Sequence, residues 1–135
     1  MNFTNPEWAF VMGRLLLGVS FLAHLLVRAP KLAAFQAGLL KQFAGTLLPA
    51  ALVGPYALAL PWAEGAVGLL LVLGWCTRPA LVATMLLLTS LLFGSSLLEQ
   101  WNTVAIQLLY GLYTVVLLLQ VQFNRLCLDR IGRYR

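Results

Sequence analysis

Acidic side chains are the scarcest chemistry in this chain: Glu7, Glu64, Glu99 and Asp129 are all it has, beside one histidine, His24, and two cysteines, Cys76 and Cys127. A single histidine excludes a bis-histidine haem. The few carboxylates, the histidine and the cysteines are too dispersed to supply the three or four ligands a metal ion needs, so neither haem nor metal is expected. The cysteines lie far apart and form no C-x-x-C pair, which argues against a thioredoxin-like redox motif and a disulfide framework and leaves both expected as thiols. Charged residues make up only 10% of the chain, against roughly a quarter in soluble domains. The net charge of +5 does not indicate nucleic acid, because the basic residues form no stripe interleaved with exposed aromatics.

What the chain has instead is apolar surface. Hydrophobic residues make up 61% of its 135 positions, and a spanning helix needs about 20 of them in succession. The expected fold is all-α: an integral membrane four-helix bundle in a single domain, with spans at about 8–28, 53–75, 79–98 and 102–122 and a basic tail from 123 to 135. Pro30 sets the end of the first span by making helical geometry unfavourable for Ala29. The stretch from Lys31 to Leu48 is too interrupted by Lys31, Gln36, Lys41 and Gln42 to span. Its Leu32, Phe35, Leu39, Phe43 and Leu47 recur at steps of three and four, which predicts a short interfacial helix. Pro61 should kink the second span, and the short Cys76–Arg78 connection makes spans two and three a tight hairpin. Trp8, Trp75 and Trp101 fall at span ends, where an amphipathic indole prefers to sit. The first apolar run has no basic n-region before it and holds Arg14 and His24, so it reads as a retained helix rather than a signal peptide.

Arg78 lies on one side of these spans with the tail arginines Arg125, Arg130, Arg133 and Arg135; Arg28, Lys31 and Lys41 lie on the other. The bias places both termini in the cytoplasm.

Polar groups inside the spans are the candidates for function, because an ionisable group in hydrocarbon is costly unless it is paired or faces a wet cavity. Counted from the cytoplasmic ends of their helices, Arg14 is roughly 9 Å deep and Glu64 roughly 16 Å. A long arginine covers that difference, and an Arg14–Glu64 ion pair, direct or through water, is expected. Three readings of the two residues stay open: a pair that fixes helix register, a proton-carrying Glu64 beside a redox or transport site, and an Arg14 that snorkels to the interface. His24 suits a hydrogen bond to a quinone carbonyl or a proton relay, or an ordinary interhelical contact. Gln107, Tyr110 and Thr114, spaced three and four apart, share an inward face of span four. They serve either interhelical hydrogen bonding or a small-molecule pocket together with His24 and Glu64. Gly65 and Gly68, with Ser90 and Gly94, are expected to allow close helix approach.

The order of short motifs is that of a known family. R-L-L-L-G at Arg14–Gly18, F-L-A-H at Phe21–His24, Lys31 soon after, W-A-E-G at Trp62–Gly65 and G-L-L-L-V-L-G-W-C-T-R-P from Gly68 together resemble the DoxX-like membrane proteins, over about residues 14–119. In the resemblance, Arg14 and Glu64 match characteristic charged positions, His24 and Lys31 the end of the first-helix motif, and Arg78 the basic residue after the second helix. Leu25 and Leu26 stand where a glycine-containing segment often follows the histidine. The resemblance implies a small four-helix inner-membrane protein of a family named for a subunit of a thiosulfate:quinone oxidoreductase, whose members include proteins tied to redox complexes and distant relatives acting as membrane chaperones or cargo receptors.

The leading expectation is therefore a membrane subunit that binds quinone, or supports its use, in a respiratory or sulfur-oxidising assembly. Glu64 and Arg14 would be its central charged groups, with His24, Gln107, Tyr110 and Thr114 around the cofactor. The chain holds no redox centre of its own, so a peripheral or membrane partner protein must bring electrons. Rival readings are a non-catalytic scaffold or chaperone for another membrane protein, and a small-solute or proton carrier, for which four short-looped helices leave little room unless copies of the chain associate.

Overall fold

Glycine or proline stands at the boundaries of the first three helices, where it interrupts an otherwise apolar chain. The computed structural model describes residues 3–128, and its elements there are helices: α1 (Asn5–Arg28), α2 (Leu32–Phe43), α3 (Ala50–Leu73), α4 (Thr77–Leu97) and α5 (Trp101–Leu119). Four helical segments are long and apolar enough to cross a membrane: Asn5–Phe43, which takes in α1 and α2, then Ala50–Leu73, Thr77–Leu97 and Trp101–Leu119. Arg130, Arg133 and Arg135 of the basic tail lie outside the described residues.

The boundaries of α1, α2 and α3 that depart from the sequence expectation have local causes. α1 starts at Asn5, ahead of Trp8, because the Thr4 amide donates to the Glu7 carboxylate at 2.9 Å and satisfies one of the donors a helix start leaves open. At its far end the chain does not break at Pro30. Ala29–Lys31 form a single 3₁₀ turn with proline near its start, where no amide hydrogen is needed, and the chain runs on into α2. That helix stops at Phe43, short of Leu48, because Gly45 adopts φ +91° and Thr46 Oγ1 donates back to the Phe43 carbonyl at 2.8 Å. α3 begins at Ala50 directly after Pro49 and so encloses both Pro55 and Pro61. It ends at Leu73, ahead of Trp75, because Gly74 takes a left-handed conformation, φ +66°, of the kind that terminates helices.

α1 packs most extensively against α3, α4 against α5, and α2 against α3. The α1–α3 seam is antiparallel and close because it is built on glycine. A Cβ at Gly68 would stand 2.7 Å from the Leu22 amide nitrogen and 2.8 Å from the Gly18 carbonyl oxygen, so the backbones meet where no other residue fits. The buried core gathers Phe10, Leu17 and Phe21 of α1, Val67 and Leu71 of α3, Ala80, Leu81 and Leu88 of α4, and Leu117 of α5. Buried Thr84 and Thr114 donate to carbonyls of their own helices, Ala80 at 2.8 Å and Tyr110 at 2.7 Å, and need no partner across the bundle.

The start of α1, the α3–α4 turn and the segment after α5 share one end of the bundle. Arg125 Nε lies 2.9 Å from Glu7, and Asn124 donates to the Thr77 hydroxyl at 2.8 Å. Arg14, 2% exposed, donates to the Leu126 carbonyl at 2.8 Å and lies against Gly74, where an added Cβ would collide with its guanidinium.

Gly68→Ala is expected to destabilise the protein by about 2 kcal/mol, in the range for overpacking a tight contact. Gly111→Ala, with nothing within 4 Å of the new Cβ, should be neutral or slightly stabilising. Unfolding of both variants in the same detergent measures the contrast; equal stabilities would mean that the seam is not glycine-limited.

Candidate functional site

Glu64 sits on the face of α3 that carries Pro61, Gly65, Val67, Gly68 and Leu71, all buried. Its side chain is 1% exposed, and a carboxylate so placed has to be paired. Its partner is Arg28, the last residue of α1, whose Nη1 reaches Glu64 Oε2 at 2.5 Å. His24, one turn earlier on α1, brings Nδ1 to 3.5 Å from the other carboxylate oxygen. The glycine seam explains this register: with Gly18 against Gly68 and Leu25 over Gly65, antiparallel helices carry residues 24 and 28 alongside residue 64.

The expected Arg14–Glu64 pair is thereby replaced. Arg14 lies at the opposite end of the same seam, against Gly74 and under Leu126. The depth estimate sets the start of α1 level with the end of α3, whereas α1 projects past it, so that Arg14 lies against Gly74, the residue that ends α3. Arg28 had been placed outside the hydrocarbon as a topogenic charge. Its spacing of four from His24, on the same helix face, was the available signal.

Arg28 ties three helices together. Besides Glu64 of α3 it stacks over Phe35 of α2, with Cζ 4.9 Å from the ring centroid, a cation–π geometry. The Phe21 ring meets His24 edge-on, with centroids 6.1 Å apart, and steadies the imidazole. Exposure falls off across the cluster: the His24 side chain is 45% exposed, Arg28 28% and Glu64 1%. Nδ1 facing Glu64 leaves His24 Nε2 for a second partner. The imidazole thus stands between a buried carboxylate and the outside of the bundle, an arrangement able to offer a hydrogen bond to a polar head and to pass a proton inward.

The other residues singled out from the sequence have partners of their own. Gln107 donates to the Ser95 hydroxyl of α4 at 3.0 Å. The Tyr110 hydroxyl pairs with Ser20 of α1 at 3.2 Å, one turn from His24, and Thr114 is buried with its hydroxyl bonded within α5. Of the three, Tyr110 alone has its hydroxyl bonded to α1. Among the described residues no three His, Cys, Asp or Glu side chains cluster as a metal site would require. No family model matches the chain, and no curated protein or solved structure is similar enough to it to count as a match.

Replacing Glu64 by Ala strands Arg28 and is expected to destabilise the protein by about 3 kcal/mol, the lower end for breaking a buried pair. Glu64→Leu combined with Arg28→Met should recover most of that loss. A double-mutant cycle on unfolding in detergent checks it, and additive losses would mean that the two side chains do not interact.

Proposed function

We propose that this chain is a DoxX-like membrane subunit that binds quinone at the His24–Arg28–Glu64 cluster and works with a partner protein that delivers electrons. The observation that carries the reading is the gradient of exposure from His24 to Glu64, which joins the surface of the bundle to an internal carboxylate. A quinone head needs few donors and its tail needs an apolar surface; the half-exposed imidazole meets the first requirement. Quinone would supply the redox chemistry, and the protein the orientation and the proton path. In this arrangement the imidazolium form of His24 donates through Nε2 to a head carbonyl and through Nδ1 to Glu64, Glu64 accepts a proton behind it, and Arg28 keeps the Glu64 side chain in place. Gln107 and Thr114 belong to helix packing.

The same reading sets the chain in a bacterial-type inner membrane. The bundle end that gathers Glu7, Arg78 and Arg125 would face the cytoplasm with both termini. α2 would lie near the opposite surface, its Lys31 and Lys41 exposed and its Leu32, Phe35, Leu39 and Phe43 face turned inward. Nothing in this placement involves nucleic acid.

Purification in mild detergent with native lipids should yield near-stoichiometric quinone with the wild type. Glu64→Gln should lower the quinone content several-fold, and adding His24→Ala should remove the rest. Extraction and chromatographic quantitation give the answer. Absence of quinone from the wild type would instead leave the cluster as a structural tie in a scaffold or chaperone, and unchanged content in the double variant would take these residues out of the site.

A further inference from the structure

We propose that the groove between α1 and α5 holds the hydrocarbon tail of the molecule whose polar head is bound at His24; the inference rests on that reading of the head site. The groove has a volume of about 410 Å³ and is lined by Leu16, Leu17, Ser20, Leu109, Tyr110 and Tyr113. Its polar groups are already engaged. Ser20 and Tyr110 bond to each other at 3.2 Å, and the Tyr113 hydroxyl donates to the Gly13 carbonyl at 2.9 Å. Hydroxyls bonded within the wall ask nothing of a ligand, so the lining presents an apolar trough with no recognition chemistry for a second polar head.

Position assigns the occupant. Ser20, the lining residue of α1 nearest the head site, is one turn from His24 on the same side of α1, so the groove begins one helical turn from the imidazole. From there its lining runs along α1 to Leu16, one further turn or roughly 6 Å, away from the Arg28 end. A head at His24 therefore has its tail directed along α1 into the middle of the bundle. Gly13 leaves room for the Tyr113 side chain that forms one wall: a Cβ there would stand 2.9 Å from the Tyr113 hydroxyl and 3.1 Å from a Leu117 methyl. The class of ligand is an amphiphile with a hydrogen-bond-accepting head and one linear or isoprenoid tail.

The test uses the full chain in lipid nanodiscs and a decyl benzoquinone carrying a photoreactive diazirine at the tail end. Labelling should concentrate on Leu16, Leu109 and Tyr113. It should drop about fivefold when Ser20→Phe, or Leu109→Trp from the facing helix, fills the space, and an excess of tail-less benzoquinone should compete it away. Equilibrium binding of the tail-less quinone should be unchanged in both variants, which also reports that they are folded. Labelling spread over the lipid-facing helices, with tail-less quinone still bound, overturns the groove and leaves the head site standing. Groove labelling that tail-less quinone does not compete identifies an ordinary bilayer acyl chain and overturns the proposal too. Failure of the wild type to bind tail-less quinone removes the head site, and the assignment of the groove falls with it.

Discussion

A carboxylate cannot be placed inside an apolar bundle without a cation within reach, and the arrangement of the first three helices follows from how Glu64 meets that requirement. Its partner sits on the last turn of α1, so α1 must run antiparallel to α3 with Arg28 alongside Glu64. The glycines at 18, 65 and 68 make the approach close enough for the contact. Arg28 in turn lies over Phe35, so α2 is fixed to the same charge. The glycine seam and the ion pair thus agree on one registry of α1 on α3, and Arg28 ties to it the helix that links them.

α4 and α5 depend on that unit in a different way. They pack on each other and close the core through aliphatic residues such as Leu81, Leu88 and Leu117, and neutral hydrogen bonds such as Gln107 with Ser95 and Tyr110 with Ser20 are among their polar contacts. Neutral bonds across membrane helices are worth little each, so shape and the α3–α4 turn hold this pair against the charged half. The chemistry that could act on a ligand is accordingly concentrated on α1 and α3, with α5 contributing a wall.

The all-helical architecture was readable from the sequence because runs of apolar residues as long as those ending at Arg28 or Leu73 have few other solutions. The importance of Glu64 was readable for a related reason: a lone carboxylate inside such a run demands an explanation. Its partner was not, because pairing depends on how far one helix slides along another, and counting residues from presumed membrane surfaces assumes that slide to be zero. The small residues were recognised as packing positions, but their use as a ruler needs a matched pair on two helices, Gly18 against Gly68, and no feature of either helix alone identifies its mate. The ends of α2 and α3 shifted for smaller reasons, a left-handed Gly45 and a left-handed Gly74, each decided by backbone geometry that hydropathy does not record.

Arg14 gives the molecule an order of synthesis. Arg28 and Glu64 lie within the first half of the chain and can meet as soon as α3 has emerged, so the α1–α2–α3 unit can reach its register while the remainder is still being translated. The carbonyl that Arg14 engages belongs to Leu126, more than a hundred residues later. Until that residue has been made, the first helix carries its cation without that hydrogen bond. The start of α1 is thus the first part of the protein to be made and among the last to gain its contacts.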